Sequence, residues 1–178
     1  MSVYAKEKPI WMRQSLDSIF TQTLLPDEVI LIEDGPLTPE LHEVIADFQK
    51  RHNNLHVFPQ KENRGLGAAL NIGLQYCRNE LVARMDTDDI CKPNRFEKEI
   101  TFMSEHPDVD ICSSLIDEFV EDIHCVHSQR TLPERHKEIL KYARRRCPVN
   151  HPTVVYKRSK VIAAGGYQGF PEDYILWI

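Results

Sequence analysis

A chain of 178 residues with 42% hydrophobic and 28% charged residues has the size and balance of one globular domain, which excludes wholesale disorder and fibrous repeats. A net charge of −5 argues against a nucleic-acid binder, whose basic face would show in the balance, but allows an anionic ligand bridged to carboxylates by a cation. There is no run of about 18 apolar residues and no basic stretch leading into an apolar core, so the expectation is a soluble, cytoplasmic protein.

In chain order, Ser2-Val3-Tyr4 reads as the end of a strand. Pro9 suits the first turn of a helix, with Met12, Leu16, Ile19 and Phe20 on one face until Pro26. Glu28 to Glu33 is a buried-strand run ending at Asp34-Gly35. Thr38 caps a second helix, with Leu41, Val44, Ile45 and Phe48 facing inward. Leu55 to Phe58 is another strand. A third helix starts near Gly65 and carries Leu66, Leu70, Leu74 and Cys77, its small residues Gly67, Ala68, Ala69 and Gly73 allowing close packing.

Leu81 to Met85 then reads as a strand ending at Asp86. Pro93 opens a helix with Phe96, Ile100 and Met103 on one face, and Val109 to Leu115 is a further strand. Beyond residue 118 the pattern weakens to a helix over Glu134 to Arg146 and a short strand over Thr153 to Tyr156. The alternation predicts an α/β sandwich with a mostly parallel sheet. The two ends, a strand without its beginning and the uncovered apolar run Tyr174 to Ile178, read as those of a fragment.

The five cysteines are odd in number and form no C-x-x-C pair, which suits a reducing compartment. His124, Cys125 and His127 cluster, but no second ligand pair at zinc spacing accompanies them.

In open α/β sheets ligands bind beyond the carboxyl ends of strands, so polar residues directly after apolar runs are the informative ones. Asp34 can accept from a base N–H or a ribose hydroxyl, or simply shape a turn. Asp86-Thr87-Asp88-Asp89 is harder to read as a turn alone, because three carboxylates in four residues repel unless a cation compensates them. Hard oxygen ligands at this spacing suit Mg²⁺ or Mn²⁺. An EF-hand starting at Asp86 would put Cys91 where glycine is required. Asn63-Arg64-Gly65-Leu66-Gly67 lies at a strand-to-helix junction, where backbone N–H groups and Arg64 favour a diphosphate or merely make a tight turn.

The ordered set is Ser2-Val3-Tyr4, Gln22-Thr23 with Asp27-Glu28, Glu33-Asp34-Gly35, and Asn63-Arg64-Gly65 with Ala69, Asn71 and Gly73. Asp86-Thr87-Asp88-Asp89 with Pro93 and Arg95 follows, and Glu172-Asp173-Tyr174 with Leu176-Trp177 closes it. That combination resembles glycosyltransferase family 2, in particular the amylovoran-type enzymes of bacterial exopolysaccharide and O-chain synthesis. The resemblance implies a GT-A (Rossmann-like) three-layer fold, with residues 1–178 as one domain. Within it, 1–118 would be the nucleotide-binding part and 119–178 the acceptor-side part.

It further implies a nucleoside-diphosphate sugar donor, bound Mn²⁺ or Mg²⁺, and inversion at the anomeric carbon. By position, Ser2 and Tyr4 would lie beside the base and Asp34 would accept from it. Arg64 would lie near base or diphosphate, Asp86 would face ribose and sugar, and Asp88 with Asp89 would hold the metal. Asp173 matches the family's general base. The first strand's missing start and the absent helices after the Glu-Asp-Tyr segment depart from the pattern and bear on acceptor binding.

Asn150-His151-Pro152 and Gly165-Gly166-Tyr167 would line the acceptor side, with His151 structural or touching phosphate or sugar. Lys137, Lys141 and Arg144-Arg145-Arg146 form either a solvated helix end or a contact with an anionic membrane surface or lipid-linked acceptor. Two rivals to a transferase are a nucleotide-binding module without activity and a nucleotide-sugar pyrophosphorylase. The latter expects a glycine-rich loop where this chain has Tyr4 to Pro9.

Overall fold

The computed structural model describes residues 1–120, 123–169 and 171–177; Ile178 of the apolar closing run and the side chain of Glu172 lie outside that description. Strands β1 (Ser2–Val3), β2 (Val29–Glu33) and β3 (Leu55–Pro59) form a parallel sheet in that order. The register aligns Val3 with Glu33 and Glu33 with Pro59, so the three strands end together.

Helices α1 (Pro9–Phe20) and α2 (Pro39–Arg51) cross between these strands. Thr38 Oγ1 accepts from Leu41 N at 3.4 Å and Pro39 opens the helix behind it, as its sequence leads one to expect. Because successive strand residues face opposite ways, β2 supplies both sides of the sheet. Val29 and Leu31 join Met12, Leu16, Leu41, Val44 and Phe48 in one core, while Ile30 and Ile32 meet Ala69 on the other face. That second face is covered by α3 (Leu66–Tyr76), where Gly73 lets the helix approach Ile32. Helices thus lie on both faces, the three-layer α/β arrangement.

The second half is built differently. β4 (Leu81–Ala83) and β5 (Ile111–Cys112) flank β8 (Val155–Lys157), both antiparallel to it, so among the described residues parallel pairing is confined to β1, β2 and β3. α4 (Arg95–Glu105) begins two residues after Pro93, whose carbonyl accepts from Thr23 N at 2.8 Å. Its Phe96 and Met103 are buried, while Ile100 is half-buried.

The run Val109 to Leu115 is not one strand. Ser114 N turns to Thr153 Oγ1 at 3.0 Å, ending the ladder after Cys112. β6 (Ile116–Phe119) then pairs antiparallel with β7 (Val126–Arg130), an exposed strand whose polar residues hid it from periodicity. α5 (His136–Ala143) is shorter than expected and leaves Arg144, Arg145 and Arg146 exposed beyond its end. A 3₁₀ turn (His151–Thr153) precedes β8, and α6 (Arg158–Ala163) and α7 (Glu172–Trp177) complete the described chain.

Candidate functional site

The carboxyl ends of β1 and β2 and the turn after β4 open onto one cleft of about 420 Å³, lined by Ser2, Tyr4, Glu7, Asp34, Asn63, Gly65, Leu66, Asp86, Thr87 and Asp88. Gly35 shapes one wall. Its φ is +85°, and a Cβ there would sit 2.6 Å from Asn63 N, so only glycine lets the loop at residues 62–65 fold over the end of β2.

Asp34 fastens that loop. The residue is 4% exposed, and its two carboxylate oxygens accept from Arg64 N at 2.8 Å and Gly65 N at 3.0 Å. Two of the N–H groups expected to face an anion are therefore committed to Asp34, which corrects that part of the sequence reading. A carboxylate has roughly four acceptor sites, so Asp34 keeps capacity toward the cleft.

On the opposite wall, the oxygens of Asp86, Asp88 and Asp89 lie within 4.8 Å of one another. The turn is held from behind: Ser15 Oγ donates to Asp86 O at 2.8 Å, Thr87 Oγ1 donates to Glu7 Oε2 at 2.7 Å, and Cys91 N donates to Ser18 Oγ at 2.9 Å. Burial, then the charges of Asp86 and Glu7, raises the Asp88 carboxyl above its usual range. Burial, then Asp86 and Asp88, pushes Asp89 up to about 6. This crowding of hard oxygen donors fits a divalent cation of the Mg²⁺ or Mn²⁺ type, which relieves the repulsion.

Of the residues singled out in the sequence, Ser2, Tyr4, Asp34, Asp86 and Asp88 share this cleft. Asp89 is not among the lining residues but brings an oxygen within 4.8 Å of those of Asp86 and Asp88. Arg64 is exposed and borders a neighbouring cleft of about 510 Å³, lined also by Gly65, Leu66, Asn71, Tyr167 and Gly169.

Asp173 lines neither cleft. It is half-buried at the start of α7, with Oδ1 accepting from Tyr174 N at 2.7 Å. Tyr167 lines the neighbouring cleft, and burial pushes its hydroxyl up to about 12 against the lowering effect of its hydrogen bond with Tyr156. His151 is buried among aromatic side chains. Nδ1 accepts from Trp177 Nε1 at 3.3 Å, the ring packs against Tyr167 and Trp177, and burial followed by the charge of Arg84 lowers it to about 3.

Periodicity and motif spacing did not single out Glu7 as a cleft residue, nor Arg84 behind the acidic turn. Arg84 carried a usable signal, a charge inside an apolar run and two residues from Asp86, where strand parity puts both on one face.

The fold and the placement of the cleft at the strand ends define a GT-A domain. The chain belongs to glycosyl transferase family 2, whose sequence profile matches residues 2–163. Over its whole length it is 43% identical to the UDP-Gal:alpha-D-GlcNAc-diphosphoundecaprenol beta-1,3-galactosyltransferase of Escherichia coli and 43% identical to the amylovoran biosynthesis glycosyltransferase AmsE of Erwinia amylovora. It spans 65% and 66% of their lengths. The mannosyltransferase PcManGT of Pyrobaculum calidifontis, solved in complex with GDP-Man and Mn²⁺, superposes on 97% of this chain and 48% of its own with a TM-score of 0.69 at 17% identity.

Proposed function

We propose that this protein is an inverting, metal-dependent glycosyltransferase. It moves a sugar from a nucleoside-diphosphate donor, a UDP-sugar before others, to a glycan or lipid-linked acceptor in bacterial surface polysaccharide synthesis. The observation that carries the reading is the convergence of the Asp34-held loop and the acidic turn on one cleft at the strand ends. The names of the E. coli relative, with its UDP-linked donor and diphosphoundecaprenol acceptor, and of the Mn²⁺-bound archaeal structure support the choice of ligands.

In this reading Ser2 and Tyr4 border the base, and Asp34 accepts from it while holding the loop. Arg64 reaches base or diphosphate. Asp86 accepts from ribose and sugar hydroxyls, and Asp88 with Asp89 holds Mn²⁺ or Mg²⁺. The bound cation supplies stabilisation of the negative charge that grows on the departing diphosphate. In this reading the attacking hydroxyl approaches from the face opposite the leaving diphosphate, so the anomeric carbon inverts, and its proton goes to Asp173. The basic residues Lys137, Lys141 and Arg144 to Arg146, all exposed, are suited to peripheral contact with an anionic inner membrane face. No described helix is long and apolar enough to cross a membrane.

A thermal-shift panel of UDP, GDP and TDP, each with Mn²⁺ or with chelator, tests the reading. The expected result is stabilisation of about 2–3 kcal/mol by UDP at ~100 times its Kd, present with Mn²⁺ and reduced with chelator. Equal shifts with and without Mn²⁺ would overturn the metal assignment, and no shift with any nucleotide would overturn the function.

A further inference from the structure

Arg84 is a cation sealed inside the protein at the stem of the acidic turn. Its side chain is 2% exposed, and Nη1 is paired with Asp86, its ion-pair partner among the described residues. The backbone is gripped on both sides: Arg84 N donates to Val154 O at 2.8 Å, and its carbonyl accepts from Arg95 Nη2 at 3.0 Å. Arg95 is in turn anchored by Glu99, Nε to Oε2, at 2.9 Å. Burying a guanidinium is costly, and Arg84 Nε has no hydrogen-bond partner among the described residues, so the side chain occupies this place at the expense of one of its donors. Such a residue is poorly explained as a contribution to stability and well explained as a fixed charge serving the turn beside it.

We propose that Arg84 is a positioning residue that divides the roles within the acidic turn: it commits the Asp86 carboxylate to itself and so leaves Asp88 and Asp89 to face a divalent cation. The inference rests on the metal reading given above. Its chemical sense lies in coordination number. Mg²⁺ and Mn²⁺ that keep open positions for phosphate oxygens are held by one or two carboxylates, and a third would occupy a position the donor requires. A rigid Arg84 withholds that third carboxylate while keeping it in the cleft as an acceptor for hydroxyl groups. The same fixed charge lets three carboxylates share one turn before any cation arrives.

The test is calorimetric titration with Mn²⁺ alone, and with UDP at saturating Mn²⁺, of wild type, Arg84→Gln, Asp86→Asn and the double variant. Arg84→Gln is expected to bind Mn²⁺ about tenfold more tightly and UDP about tenfold more weakly, effects of opposite sign that loss of structural support does not produce. Asp86→Asn is expected to keep Mn²⁺ affinity within about threefold of wild type, and the double variant to return close to it.

Loss of Mn²⁺ and UDP affinity together in a folded Arg84→Gln, or a tenfold or greater loss of Mn²⁺ affinity in Asp86→Asn, overturns the proposal. Should Arg84→Gln not fold, Asp86→Asn decides it, with Arg84→Lys, which keeps a cation beside Asp86, expected to stay closer to wild type than Arg84→Gln in both Mn²⁺ and UDP affinity. Wild type that binds UDP but no Mn²⁺ overturns the metal reading itself, and this inference with it.

Discussion

Asn71 and Tyr167 hold each other by two hydrogen bonds of opposite sense: Asn71 Nδ2 donates to Tyr167 O at 2.7 Å, and Tyr167 N donates to Asn71 Oδ1 at 2.8 Å. The pair ties α3, whose first turn borders both clefts, to the segment that leads into α7 and Asp173. Asn71→Ala leaves both backbone groups of Tyr167 without these partners and is expected to cost about 1–3 kcal/mol. Urea denaturation measures it, and Asn71→Asp, which keeps the acceptor and loses the donor, is expected to fall between the two.

Asp34 joins two tasks in one carboxylate, pinning Arg64 N and Gly65 N and facing the cleft. Asp34→Ala is expected to weaken UDP binding by about 1.5–3 kcal/mol, the usual worth of hydrogen bonds to a charged group. Excess Mn²⁺ should not restore it, because Asp34 follows a different strand from the acidic turn. Full rescue by Mn²⁺ in calorimetry would instead place Asp34 in the metal site.

His151 gives the fold a pH dependence of definite sign. Burial, with the charge of Arg84 second, holds it at about 3 in the folded protein against an ordinary value of 6.5, so between these values the unfolded chain takes up a proton that the folded protein refuses. The stability linked to neutral His151 is complete above pH 6.5 and is lost as pH falls toward 3, with a slope of up to about 1.4 kcal/mol per pH unit. Compared by urea denaturation at pH 7.5 and pH 5, wild type should lose more stability than His151→Gln. Equal losses would show that His151 is not held neutral.

Asp173→Asn, made in the complete protein, is expected to leave Mn²⁺ and UDP affinity unchanged while sugar transfer falls by about two orders of magnitude or more. Transfer at the wild-type rate, or a failure confined to Glu172→Gln, would move the base elsewhere.

The parts of the fold legible in the sequence were those fixed by local chemistry. Pro9, Thr38 with Pro39, and the apolar run of β2 mark their elements by turn stereochemistry and periodicity that no later contact overrides. The pairing of β6 with β7 was not legible, because an exposed strand carrying His127, Ser128 and Gln129 shows no apolar alternation. Nor was the antiparallel placement of β8, since the short Val155–Lys157 run gives no direction. In the site, the acidic turn announced itself by charge density alone. The clasp of Asp34 on the residue 64–65 backbone and the pairing of Arg84 with Asp86 needed coordinates, because both depend on where a loop or a buried side chain is led by the strands around it.

The seating of β8 between β4 and β5 also sets an order of assembly. β1, β2 and β3 acquire their partners within a continuous early stretch of the sequence, so the parallel sheet can consolidate from neighbouring segments. Among the described residues β4 and β5 pair with neither of these strands nor with each other, and their ladders close on Val155 and Tyr156. Until that insertion the stem of the acidic turn is an open edge, exposed to wrong pairings with other chains. The ladder of β4 therefore waits for a strand far along the chain, and the docking of that strand also brings Val154 O to Arg84 N at the stem of the acidic turn.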